Sequence, residues 1–426
     1  SAPRSRAAPW RPIAENGLGA QAAATLDVLA RALAHPRRAW APESTPPERR
    51  AALDASLADG AAGQALLLAH LARLGLDSPT VADVERSLDR ARAAAARLPM
   101  TPALFGGFTG IAWAIEHARG RPGEPSAGDP LHDIDEVLTR ALEAEALRHF
   151  DLVSGITGVG VYALERLPRP SARECLVRVI ARLEARAEPV ARGRLWRTPA
   201  ASMTRGHGPF DLGVAHGAAG PIALLAAAHA WGIEARVLLD DAIRALLDQR
   251  LPSDAVGRFP TSTGPGAAPG PARLAWCSGD PGIAMALIAA GRAVGAPSWI
   301  EEGLAAARAA ATRADASSGV RDASVCHGAA GIVLAFQRLH HLTGEPLFAA
   351  TTRRWLARVL AQRRPDGGCE GFSACVPQDA GDPLWIADAG LLRGAAGIAL
   401  TLLAATRPLE PTWDRALLLS ARSPDA

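Results

Sequence analysis

HGAAGIVLAFQRL, residues 327–339, joins a glycine pair spaced Gly-x-x-Gly to a run of apolar, helix-favouring residues. The pattern recurs along the chain. Its other copies are DGAAGQALLLAHL (Gly60, Gly63), GGFTGIAWAI (Gly107, Gly110), SGITGVGVYAL (Gly155, Gly158), HGAAGPIALLAAA (Gly217, Gly220), SGDPGIAMALIAA (Gly279, Gly282) and RGAAGIALTLLAA (Gly394, Gly397). First glycines lie 47, 48, 62, 62, 49 and 66 residues apart. Repetition at this period marks an array of similar units. Between copies run amphipathic stretches such as LHDIDEVLTRALEAEALRHF and WIEEGLAAARAAATRA, with apolar residues at helical spacing and charges opposite. Each unit therefore reads as an outer amphipathic helix, a loop, a glycine turn and an inner apolar helix.

Seven such pairs give about fourteen helices. An all-α fold follows, closed as an α/α toroid that buries every inner helix, with an open solenoid as the alternative. Residues 1–45 read as an N-terminal extension with a first outer helix, and 46–426 as one toroidal domain. The glycines are expected to supply backbone angles closed to other residues and to let inner helices approach. In the first, second and seventh copies they read as packing devices alone.

Composition agrees with a helical, globular chain. Of 426 residues 49% are hydrophobic but only 4% aromatic, and alanine and leucine, strong helix formers, fill the apolar positions. All 46 basic residues are arginine, set against 43 acidic ones, and no basic block suggests a nucleic-acid surface. No apolar run is long enough to span a membrane. Five cysteines in so long a chain do not make a disulfide framework, so a cytoplasmic protein with reduced thiols is the expectation.

Three Gly-, Pro- and Ser-rich insertions, residues 197–217, 251–277 and 363–390, read as loops leading into the fourth, fifth and seventh copies. They should border one face, where function gathers. On that face Cys277 and Cys326 each stand two residues before the first glycine of adjacent copies, and His327 follows Cys326. Two thiolates and an imidazole are zinc-type ligands, and three of them leave the open position of a catalytic site. The competing reading is a pair of buried, inert thiols. His216, before Gly217, suits a fourth ligand, a general acid/base or a core histidine. Asp151 precedes Gly155 by four residues, where a carboxylate favours a helix N-terminus. Arg273 precedes Cys277 by four and alone would be a surface residue. Cys369 and Cys375 read as unpaired loop cysteines, and Cys175 and Tyr162 as core.

The motifs RLAWCSGDPG, SVCHGAAG, LGVAHGAAG and HFDLVSGITG resemble those of the lanthionine synthetase C-like proteins, the lanthipeptide cyclases, across all seven copies. The resemblance implies an α/α toroid with zinc in its central cavity. It implies an enzyme that adds a cysteine thiol of a dehydrated precursor peptide to dehydroalanine or dehydrobutyrine, closing a thioether ring. Cys277, Cys326 and His327 fall on the family's zinc ligands. His216, Asp151 and Arg273 fall on positions implicated in catalysis. Ser278 departs from the pattern, which places a tyrosine after the first zinc cysteine. With no fused dehydratase the chain resembles the stand-alone cyclases, whose expected partners are a dehydratase and a transporter. The alternatives are another zinc-thiolate alkylating enzyme, prenyltransferase-like or glutathione-adding, and a non-catalytic peptide-binding scaffold.

Overall fold

The structure is a computed structural model that describes residues 9–35, 37–75, 79–120, 129–199, 206–378 and 381–424. Each apolar segment after a glycine pair is a helix, and these form the inner ring. They are α3 (Ala61–Ala72), α5 (Phe108–Arg119), α7 (Ile156–Arg166), α9 (Ala219–Ala230), α11 (Asp280–Val294), α13 (Ala329–Thr343) and α15 (Ala395–Thr406). Their residues are buried nearly all round, as a helix without a polar face requires. The amphipathic segments form the outer helices α1 (Asn16–Leu33), α2 (Pro47–Ala55), α4 (Val81–Ala95), α6 (His132–Glu143), α8 (Pro170–Arg186), α10 (Arg236–Leu247), α12 (Pro297–Thr312) and α14 (Pro346–Ala361). Inner helices pack on their neighbours in order, α15 packs on α3, and α1 from the start of the chain covers α15.

Backbone hydrogen bonds among the loops ahead of the glycine pairs exclude the open solenoid. Ala58 N donates to Phe105 O (2.9 Å), Phe105 N to Val153 O (3.3 Å) and Leu152 N to Ala215 O (3.2 Å). Ala215 N donates to Cys277 O (3.0 Å), Cys277 N to Cys326 O (3.2 Å) and Cys326 N to Leu392 O (2.8 Å). Leu392 N then donates back to Ala58 O (3.1 Å). The seven copies thus hold hands in a closed circle with no unpaired end.

The glycines do half of the job expected: the second of each pair lets a neighbouring copy approach, a Cβ on Gly110 standing 2.8 Å from Leu57 Cβ and one on Gly158 2.8 Å from Leu104 Cβ, but the first supplies no special backbone angle. In six copies the first glycine is the N-cap of the inner helix, with φ between −142° and −109°, an extended conformation open to any residue. What excludes a side chain is space. A Cβ on Gly107 would stand 2.0 Å from Thr101 O, and one on Gly331 2.0 Å from Val325 O. The loop folds back so tightly on the helix start that only a missing Cβ fits.

The insertions are not wholly irregular. They contribute short antiparallel pairs: β3 (Phe210–Asp211) with β4 (Ser262–Thr263), and β5 (Ala374–Val376) with β6 (Leu384–Ile386). A further pair, β1 (Ala187–Pro189) with β2 (Arg194–Trp196), follows α8. At the other end of the ring the segment after α15 crosses the inner helices. Asp414 pairs with Arg338 of α13 (2.7 Å), Arg415 with Glu165 of α7 (3.3 Å), and Leu417 O accepts the Trp276 indole N–H (2.8 Å). Tyr162 is core, with its hydroxyl bonded to Asp135 (2.6 Å), and Cys175 is buried, its thiol pushed up to about 12 by burial.

Candidate active site

The loop ahead of each glycine pair is built alike, so a residue's place in the copy fixes its place on the ring. Cys277 and Cys326 occupy equivalent positions in adjacent copies, and their main chains are bonded directly. Cys277 is held below a thiol's ordinary value, with neighbouring Cys326 the main cause. Burial opposes that shift, while Arg273, His327 and Ser278 assist it. Arg273 Nη2 lies 3.9 Å from Cys277 Sγ, and Ser278 Oγ lies 3.7 Å from the same sulfur. Where the family pattern has a tyrosine, a small hydroxyl therefore stands beside the sulfur.

His216 and Asp151 meet across the third and fourth copies. His216 Nδ1 is 2.7 Å from Asp151 Oδ2, and Asp151 Oδ1 accepts the Ser154 N–H (2.7 Å). Asp151 is buried, whereas the His216 side chain keeps 49% of its surface exposed. Burial works against a charge on His216. The Asp151 bond and charge outweigh it, with Asp211 and Cys277 adding, and His216 is raised above the usual histidine value. A nearby second pair, His207 Nε2 to Asp211 Oδ2 (3.0 Å), was not foreseen.

His327 is held by a residue the sequence reading passed over. Its Nε2 lies 3.4 Å from Asp322 Oδ2 and 3.3 Å from the Cys375 carbonyl. Both partners are acceptors, so Nε2 carries the proton and Nδ1 keeps the lone pair. Asp322 is fixed in turn by the Cys375 N–H (2.8 Å) and the Ser324 hydroxyl (2.8 Å). The sequence did carry a signal. Asp-x-Ser or Asp-x-Gly stands six residues before the first glycine in four copies, at Asp54, Asp211, Asp322 and Asp388. In the last three, Oδ1 caps the N–H two residues on. The fifth copy has Arg273 there, which marks it as placed for something other than the turn.

Among the described residues no three His, Cys, Asp or Glu side chains stand arranged as a ready metal-holding group. The donor chemistry nonetheless suits zinc. Two cysteines stand on directly bonded main chains, Cys277 is held below a thiol's ordinary value, and an adjacent imidazole donates its far N–H to a carboxylate, the outer hydrogen bond of a metal-binding histidine. Cys369 and Cys375 are unpaired thiols, as expected.

Residues 51–418 match the model of the lanthionine synthetase C-like proteins, which is most of the chain. The chain belongs to that family. No curated protein sequence matches it significantly. Among solved structures, nisin cyclase is similar in fold to this lanthionine synthetase C-like chain. The likeness has a TM-score of 0.69 and 18% identity, and spans 86% of this chain and 92% of that one. No helix among the described residues is long and apolar enough to cross a membrane.

Proposed function

We propose that this lanthionine synthetase C-like protein is a zinc-dependent cyclase that closes thioether rings in a dehydrated precursor peptide. The observation that carries the reading is the thiol pair at Cys277 and Cys326 on the same face as the Asp151–His216 pair. On one side of that face the Arg273 guanidinium stands 3.9 Å from Cys277 Sγ, and on the other Asp151 biases the His216 imidazole toward its protonated form.

The reaction needs a thiolate, an acceptor and a proton. A zinc ion held by Cys277, Cys326 and His327 would bring the substrate cysteine to its thiolate at neutral pH. As the new C–S bond forms at the β-carbon of the dehydro residue, the π pair moves toward the α-carbon and its carbonyl. His216, protonated more readily than a free histidine, delivers the proton to the α-carbon. Asp151 fixes the ring with Nδ1–H directed at itself, so Nε2 is the donating atom. Arg273 keeps cationic charge beside the sulfurs, which favours thiolate at the pair. No atom leaves, so product and substrate have equal mass. A separate dehydratase has to supply the unsaturated residues.

The test is to give the purified protein a dehydrated cysteine-containing peptide and count free thiols by alkylation and mass spectrometry, alongside metal analysis. Loss of alkylation without mass change, one zinc per chain, and loss of both in C277A are the expected results. Full zinc in C277A would refute the ligand set, and persistent free thiols with the wild-type protein would refute the activity.

A further inference from the structure

The two sulfur-bearing copies are bracketed. On one side the fourth copy's His216 bonds to Asp151 of the third. On the other, the seventh copy's Arg393 bonds to Asp59 of the first, Nη2 to Oδ1 at 2.9 Å. His216, His327, Arg393 and Asp59 all occupy one position, the residue before the first glycine, which is where the site's histidines are presented. Arg393 also repeats the arrangement of His327 one copy earlier. Each is approached by the aspartate five residues before it, Asp322 to His327 and Asp388 to Arg393, both at 3.4 Å.

We infer that Arg393 and Asp59 form a clamp for the main chain of the substrate's cysteine-bearing segment, on the side of the sulfur pair opposite His216. The inference rests on the cyclase reading. Arg393 follows Leu392, whose carbonyl accepts the Cys326 N–H (2.8 Å), so its copy is fastened directly to the loop that carries the second sulfur. The Arg393 side chain keeps 27% of its surface open, and that of Asp59 11%.

Charge decides what the clamp can hold. Arg393 faces two carboxylates, Asp59 at 2.9 Å and Asp388 at 3.4 Å. The cation is already offset, and an anionic ligand would gain little. A neutral group with one acceptor and one donor fits better. The guanidinium has five N–H donors, more than its two carboxylate contacts use, and Asp59 has a second oxygen beyond the one bonded to Arg393. A peptide unit offers C=O to the first and N–H to the second. Every cysteine carries that unit whatever its neighbours, so such a clamp would accept cysteines in different sequence contexts.

The test uses the zinc-loaded protein and a fluorescein-labelled peptide with cysteine retained and alanine in place of the dehydro residue, which binds without reacting. R393Q and D59N should each weaken binding about tenfold, as loss of one hydrogen bond to a charged group does. In turnover they should raise KM similarly, with kcat within about threefold, and R393K should recover part of the loss. Zinc content and melting temperature report whether the fold is kept. If R393Q melts early, R393K and D59N decide the matter, and both must weaken binding. Unchanged affinity and KM in those variants would overturn the clamp. So would a fall in kcat at constant KM, which would place Arg393 with the developing negative charge. Failure of the cyclase reading is separate, because then the wild-type protein would consume no thiols.

Discussion

Asp151→Asn removes the charge behind His216 while keeping a side chain of the same shape. The 2.7 Å contact is a hydrogen bond between an imidazole and a buried carboxylate. Hydrogen bonds to charged groups contribute about 1.5–3 kcal/mol. His216 is half open to solvent, so a value near the lower end, about 2 kcal/mol, is appropriate. That energy favours the imidazolium, the form that would deliver the proton in the proposed reaction. At roughly 1.4 kcal/mol per tenfold, its loss slows ring closure about thirtyfold at pH values where His216 limits the rate. The sign is fixed by the direction of the shift. Asp151 raises His216, so activity in the native protein persists to higher pH and falls as pH rises through the folded value. In D151N that alkaline limb moves to lower pH. Single-turnover cyclisation followed by thiol alkylation from pH 5.5 to 9 reads both effects. H216A should lose about 10²–10⁴-fold. The D151N/H216A double variant should be no slower than H216A, because a residue acting through His216 has nothing left to act on. A D151N protein with native rate and limb would refute the pairing as functional, and equal, additive losses in the double variant would show that Asp151 acts elsewhere.

Asp322→Asn should leave the fold intact but lower zinc affinity about 10–100-fold, measured by competition with a chromophoric chelator, because His327 loses the carboxylate that orients it; unchanged affinity would separate Asp322 from metal binding. Gly331→Ala puts a Cβ 2.0 Å from Val325 O, a backbone atom beside Cys326, and should destabilise by about 1–3 kcal/mol, seen as a lower denaturation midpoint at constant slope. A midpoint within error of wild type would mean that the loop has slack the structure does not show.

The toroid was legible because its signal repeats. Seven apolar runs without a polar face can be buried only by one another, and the glycine pairs fix where each begins. Closure was harder to read. Helix α1 covers α15 across more than 360 residues of sequence, and nothing local in NGLGAQAAATLDVLARAL points so far away. The two cysteines were found by equivalence within the copy, and the same logic applied one step further would have found Asp322 and Asp388. It was not applied because an aspartate near a turn has an ordinary explanation, and here the explanation is true of one oxygen only. Asp322 Oδ1 caps its turn while Oδ2 reaches His327. Arg393 and Asp59 were hidden for a related reason. Their copies hold no sulfur or histidine before the glycine and read as packing alone, whereas a bond across the junction of the first and seventh copies needs the closed ring to be seen. The glycines were placed correctly and half explained: neighbouring copies do approach at the second glycine, but the first is required by a carbonyl six residues upstream that folds back on it, not by its backbone angles.

The circle of seven main-chain bonds bears on how the protein comes off the ribosome. Cys326 N is satisfied by Leu392, and Leu392 by Ala58, so the loop carrying the second sulfur stays unfastened until the final copy has been synthesised and has met the first. A nascent chain halted before residue 392 would expose inner helices at two raw flanks and hold its reactive thiols in an unfinished frame. Biosynthesis should therefore delay both metal capture and thiol activation until the strand of copies can bite its own tail.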